Sequence, residues 1–188
     1  MNFIKRAVVA IFDFLQSIVV VMSIMVMIYL FVMSPQEIKG ASMEPSFFDK
    51  EYILTNKILF KLRDPVRGDV IIFKSPANPE IDYIKRVIGL PGDTVALKQN
   101  AIFVNDVKIE EPYLSPGITI FGGSYLGENQ EVVIPPGKYF VLGDNRPHSA
   151  DSREFGPIPK EDFIGKAFLR YWPFTRFGVI PQPHYQIL

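Results

Sequence analysis

An unbroken apolar run near the N-terminus constrains this chain more than any other feature. Residues 18–33, IVVVMSIMVMIYLFVM, carry no charge, and residues 7–12 extend the run backwards. The segment is long enough for a helix across a hydrocarbon core of roughly 30 Å. Asp13 is the misfit. A carboxylate at the bilayer centre costs on the order of 2.5–3.5 kcal/mol. Asp13 is therefore expected near the headgroups, with the span starting around Leu15. The competing reading is a cleaved signal peptide. Its apolar core would be roughly 7–15 residues and would end in an A-x-A-like site. This run is longer and has no such end, so it is expected to remain as an anchor. Lys5 and Arg6 before it, against Lys39 after it, put the N-terminus in the cytoplasm. Everything after Ser34 then lies on the extracytoplasmic face of the cell membrane. Residues 1–34 are thus read as cytoplasmic N-terminus and anchor, and residues 35–188 as one extracytoplasmic domain of ordinary size.

Beyond the anchor no helix-period segment of convincing length occurs. Short apolar runs bounded by turn residues read as strands: 52–55, 70–73, 83–88, 94–97, 101–104, 107–109, 138–142 and 165–171. Gln99-Asn100 and Asn105-Asp106 are turn pairs between consecutive strands. Residues 111–136, with Gly122-Gly123 and Pro135-Pro136, read as an insertion or a mobile loop. The tail from Pro173 carries too many prolines for a helix. The expected fold class is mainly β: a transmembrane helix, then an all-β, barrel-like domain with an inserted β subdomain over 94–136.

Composition narrows the chemistry. The formal net charge is zero, and there is neither a basic cluster nor an aromatic RNA motif, so no nucleic-acid partner is expected. Without cysteine there is no disulfide, thiolate metal site or cysteine nucleophile.

Ser42 stands between small residues and a proline in Gly40-Ala41-Ser42-Met43-Glu44-Pro45-Ser46, just after the anchor. Small neighbours let a substrate backbone approach the hydroxyl, and Pro45 stops a helix from running through. By itself such a serine most often bonds its own backbone. As a nucleophile it needs a base. His184 lies in the proline-rich tail and is most simply a surface or packing residue. His148 lies in a polar loop, residues 143–153, that follows a strand. Lys85 is inside a strand, sharing a face with Tyr83 and Val87, while Arg86 faces away with Ile84 and Ile88. At least one of these cations must turn toward an apolar interior. A buried lysine loses hydration of its charged form and its pKa falls. The bland alternative is two cations on an edge strand, or a lysine that snorkels to water.

Ordered blocks now resemble a known family, the bacterial type I signal peptidases, membrane-anchored serine/lysine proteases. The blocks are Ser42-Met43-Glu44-Pro45-Ser46, Arg67-Gly68-Asp69-Val70, residues 85–93 (KRVIGLPGD), and Gly143-Asp144-Asn145-Arg146 with Ser149-Ala150-Asp151-Ser152-Arg153. They follow an N-terminal anchor and cover nearly the whole chain. The resemblance implies that Ser42 is the nucleophile and Lys85 the general base. It implies that Ser149 bonds and orients the lysine amine, that Asp151 and Arg153 form a supporting ion pair, and that Asp144 and Arg146 are structural. The oxyanion would be held by the Ser42 N–H. Part of the family adds a serine hydroxyl two residues earlier, where this chain has Gly40, so a backbone or water donor must serve there. Ile38 and Asp82-Tyr83-Ile84 match the edges between which an extended substrate lies, with Met43 beside them. The implied partners are preprotein signal peptides, cut after small residues at A-x-A-like sites, and the lipid bilayer. No metal or organic cofactor is required.

Two rivals remain at this level. A Ser42–His148 pair would keep the enzyme and change the base. A membrane-tethered β-domain could instead bind extended peptides without cutting them.

Overall fold

The computed structural model describes residues 3–183 and 185. His184 therefore lies outside the described residues. Helix α1 (Phe3–Phe31) is 29 residues long, which at 1.5 Å per residue is about 43 Å. Its span from Lys5 to Phe31 has a mean hydropathy of 2.4 and none of it is buried. It is long and apolar enough to cross a membrane. Lys57 closes its C-terminal end, donating to Tyr29 O at 3.2 Å with its ammonium over the Tyr29 ring. A cation there offsets the partial negative charge of the last helical carbonyls.

Strand β1 (Met33–Glu37) follows almost directly. Met33, the last residue of the apolar run, thus opens a strand that no alternation in the sequence marks. The remaining strands are β2 (Tyr52–Asn56), β3 (Val70–Lys74), β4 (Asp82–Gly89), β5 (Thr94–Lys98), β6 (Ala101–Val104), β7 (Val107–Lys108), β8 (Gln130–Val133), β9 (Lys138–Leu142), β10 (Ile158–Pro159), β11 (Phe163–Trp172) and β12 (Gly178–Val179). Among the described residues two single-turn α-helices, α2 (Leu59–Leu62) and α3 (Ser152–Phe155), interrupt them. One sheet runs β1-β2-β11-β3-β4-β9-β10, with β12 beside β11, and does not close on itself. A second, four-stranded sheet runs β7-β6-β5-β8.

The large sheet is covered on both faces. In β3, Val70 and Ile72 pack with Ile38, Met43, Phe47, Ile53 and Ile84, while Ile71 and Phe73 pack with Phe60, Val87, Tyr139 and Val141. Period-2 alternation into two separate cores explains why VIIF reads as a continuous apolar run. A third core joins the sheets: Ile88, Phe140 and Leu142 pack against Val95, Leu97, Ile102 and Val104. Ile120, Leu126 and Ile134 belong to that core, so the irregular stretch 111–136 is anchored to it at three points. Three apolar residues spaced through an irregular stretch carry no period, which is why pattern reading missed their burial.

Gly89 lies where β4 shifts register against β9. An added Cβ would meet Val95 Cγ2 at 2.7 Å and Phe140 Cβ at 2.9 Å. Neither can retreat, because both are fully buried. Gly89→Ala should therefore lower stability by about 1–3 kcal/mol through overpacking, as read from denaturant unfolding. An unchanged midpoint would mean that the two sheets are not packed this tightly.

Candidate active site

Past β1 the chain is pinned by an antiparallel step, Ile38 N–H to Glu51 O and Lys50 N–H to Ile38 O, both 2.8 Å. Gly40 then turns it, at φ +85°, a conformation that favours glycine. The next residues form a tight turn containing the cis Glu44–Pro45 peptide, closed by the Phe47 N–H donating to Met43 O at 2.9 Å. Asn145 fastens the front of this turn. Its N–H donates to Ser42 O at 3.1 Å and its side-chain amide to Ala41 O at 3.0 Å.

Lys85 reaches the serine from β4. Its Nζ is 2.7 Å from Ser42 Oγ and 3.0 Å from Ile84 O, and the residue is only 3 % exposed. Its ammonium also lies over the ring of Tyr83, which shares its face. Burial is the chief cause that lowers the Lys85 pKa to about 8; Asp151 and Asp144 pull it up again, and Arg153 pushes it down. A sizeable fraction of the amine is then neutral near physiological pH and can accept a proton across the 2.7 Å contact.

Arg86, on the opposite face, is also buried. It makes a two-pronged ion pair with Asp144, 2.9 and 2.6 Å. Asp151 and Arg153 pair at 2.7 Å, and Asp151 also accepts the Gly143 N–H at 3.1 Å. Arg146 pairs with Glu111 rather than with Asp144, and its Nε donates to Gly143 O at 2.9 Å. Asn145 and Glu111 are structural parts of the site that the sequence reading did not single out. Asn145 sits inside a quoted motif and could have been found there. Glu111 is a lone acid in an irregular stretch, and no local pattern marks it.

Three expectations change. Met43 does not line the site. It is buried with Phe47 in the core that also holds Ile38 and Ile53. Gly40 offers no free N–H, because it donates to Asp49 Oδ1 at 2.7 Å. Ser149 makes no hydrogen bond to Lys85: its hydroxyl oxygen is buried without a partner, since the amine is turned to Ser42 Oγ and Ile84 O. Ser149 is still close to Ser42, packed with Ser42 O around Gly143, where a Cβ would collide with both. The Ser42 N–H has no hydrogen-bond partner among the described residues. His148 is exposed, and the hydroxyl of Ser42 is engaged by Lys85 instead.

A groove of about 690 Å³ opens over the pair, lined by Gln36, Glu37, Ile38 and Lys39 on one side and by residues 80–85 on the other. Its walls are free strand edges. β1 ends the large sheet, and β9 covers β4 only from Arg86 onward, leaving Asp82, Tyr83 and Ile84 unpaired on that side. Free edges are where an extended chain can add as a further strand.

The family described as signal peptidase, peptidase S26, matches residues 11–172. A signal peptidase IB of Staphylococcus aureus strain Mu50 is 40% identical over 176 residues, which is 88% of this chain and 91% of that protein. A signal peptidase I of Bacillus caldolyticus is 42% identical over 156 residues, 79% of this chain and 85% of that protein. A crystal structure of a signal peptidase I from Enterococcus faecalis V583 is 34% identical, with a TM-score of 0.45, covering 55% of this chain and 97% of that chain.

The buried amine has a signature in stability. Its folded-state value, about 8, is below the unfolded value near 10.4. Folding therefore loses stability as pH falls from about 10.4 through about 8, and nothing further is lost below. Lys85→Met lacks this penalty. Its stability relative to the unsubstituted chain should be about 3 kcal/mol better at pH 7 than at pH 10.5. Urea unfolding of both chains in detergent at the two pH values checks this. A pH-independent difference would mean that Lys85 is not desolvated.

Proposed function

The chain belongs to the signal peptidase family, peptidase S26, and from that premise we propose that Ser42 and Lys85 are its catalytic pair. As a member it is a serine endopeptidase that cleaves signal peptides. The observation that carries the residue assignment is the 2.7 Å contact between a 3 % exposed lysine and a serine at the floor of an open groove.

The reaction is acyl transfer. A preprotein segment lies extended between residues 36–39 and 82–84, gaining main-chain hydrogen bonds from both free edges. Neutral Lys85 takes the Ser42 proton as Oγ attacks the scissile carbonyl. The Ser42 N–H holds the developing oxyanion, a donor worth on the order of 10²–10³ in rate. Protonated Lys85 then passes its proton to the departing amine. Water, deprotonated by Lys85, hydrolyses the acyl-enzyme. Cleavage after small residues at A-x-A-like sites is part of the proposal.

The anchor serves the chemistry. The chain has only ten residues between Phe31 and Ser42, which limits the nucleophile to within roughly 40 Å of the membrane end of α1. A signal peptide's cut site is at the same surface, and confinement there raises the effective concentration of the reactants. We read residues 1–34 as cytoplasmic N-terminus and anchor, with the N-terminus inside, and residues 35–188 as the extracytoplasmic catalytic domain. Within it, residues 94–136 form the inserted subdomain.

The test is preprotein cleavage by the full chain in lipid, at a site ending in Ala-x-Ala. Ser42→Ala and Lys85→Ala should each reduce the rate by about a thousand-fold or more, and His148→Ala should retain it. The rate should rise with pH through about 8, because only the neutral amine accepts a proton. At pH 7 about a tenth of the amine is neutral. Strong cleavage by Lys85→Ala that disappears on adding His148→Ala would move the base to His148. Absence of cleavage by the unsubstituted chain would favour a peptide-binding module.

A further inference from the structure

The turn that carries Ser42 is also held from behind, by charged side chains that the chemistry above does not use. A tight turn leaves inward-facing carbonyls that other groups must satisfy. Here Ser46 O accepts from Arg170 Nη2 at 2.7 Å and from Arg176 Nη2 at 3.2 Å. Arg176 Nη2 also lies 3.4 Å from Pro45 O. Both guanidinium groups converge on one carboxylate. Arg176 Nη1 donates to Glu51 Oε1 at 2.6 Å, and Arg170 Nε lies 3.1 Å from Glu51 Oε2, a charge contact without hydrogen-bond alignment. The Glu51 side chain is 3 % exposed and that of Arg170 10 %. The guanidinium groups lie against the Phe47 and Phe48 rings, at 5.1 and 4.5 Å.

Three separate elements supply this clamp: Glu51 just before β2, Arg170 on β11, and Arg176 on the short turn Phe174–Arg176. Desolvating three charges is costly, and a buried ion cluster is weak evidence for stability alone. What it does supply is direction. Asn145 grips the turn at Ala41 O and Ser42 O. The clamp grips the far end at Ser46 O. With both ends fixed, the turn cannot rock, and Ser42 Oγ keeps its place against an amine that arrives from a different strand.

We propose that Glu51, Arg170 and Arg176 are positioning residues for the nucleophile: the two arginines, held in place by Glu51, grip Ser46 O and so set the orientation of the Ser42 turn toward Lys85. This rests on the reading of Ser42 as nucleophile. None of the three lines the substrate groove. Their loss should therefore act on the reacting geometry and leave peptide binding alone.

The experiment uses the full chain in detergent, with Arg170→Ala, Arg170→Lys, Glu51→Gln and Arg176→Ala. Three quantities are measured: kcat and KM on a soluble signal-peptide substrate, the rate at which a serine-acylating probe labels the enzyme, and thermal unfolding. Arg170→Ala and Glu51→Gln should lower kcat and the acylation rate by roughly ten- to a hundred-fold, since small misplacements of a reacting group cost this much. KM should stay within about two-fold. Arg170→Lys should recover part of the loss, because an ammonium can still donate to Ser46 O. The acid limb near pH 8 should not move, because the burial of Lys85 is untouched. Lowered unfolding temperature with unchanged kcat and acylation would overturn the proposal and leave the cluster as a structural brace. Should the buried variants fail to fold, Arg176→Ala decides. Its side chain is 33 % exposed. It should lose several-fold in acylation rate, and no loss would overturn the proposal. Ser42→Ala is the control: if it is still labelled or active, the nucleophile assignment has failed rather than the clamp.

Discussion

A lysine amine without water is the condition on which the proposed chemistry depends. Hydrated, Lys85 would be charged at any pH at which a cell lives, and a charged ammonium cannot take a proton from Ser42. At 3 % exposure its pKa falls to about 8. Removing water from it requires a strand covered on both faces. β4 meets this condition, because Ile84 packs into one core and Val87 into another.

The cost is a crowd of buried charges nearby, all in tight pairs. Arg86 is locked to Asp144, Arg153 to Asp151 and Arg146 to Glu111. Each pair is neutral overall, so the field at Lys85 is small compared with its desolvation. Asp151 and Asp144 pull its pKa up, Arg153 pulls it down, and burial outweighs them. The same pairs tie the loop after β9 to β4 and to residues 111–113. Through Asn145 that loop holds the backbone of Ser42. Charges that would destabilise the domain singly act together as its fasteners.

The open groove follows from an unfinished sheet. β9 pairs with β4 only from Arg86 to Gly89, and β1 has a neighbour on one side only. Exposed edges invite aggregation in most proteins. Here two short edges face one another across about 690 Å³, which suits one extended peptide.

Much of this was written locally. An uncharged run of 16 residues determined α1, and alternation determined most strand positions and the shared face of Lys85 and Tyr83, because these depend on neighbours one to four residues apart. The resemblance brought Ser42 and Lys85 together, since motif order reflects a shared fold. Only tertiary structure decided the rest. Met43 entered the core because strands distant in the chain, β2, β3 and β11 among them, build the apolar pocket that receives it. Gly40 gave its N–H to Asp49, nine residues on. Ser149 turned out unbonded to Lys85, and Glu111, Glu51, Arg170 and Arg176 were invisible, their partners lying between 35 and 131 residues away. Burial and pairing across such distances depend on which strands become neighbours, and no local period records that.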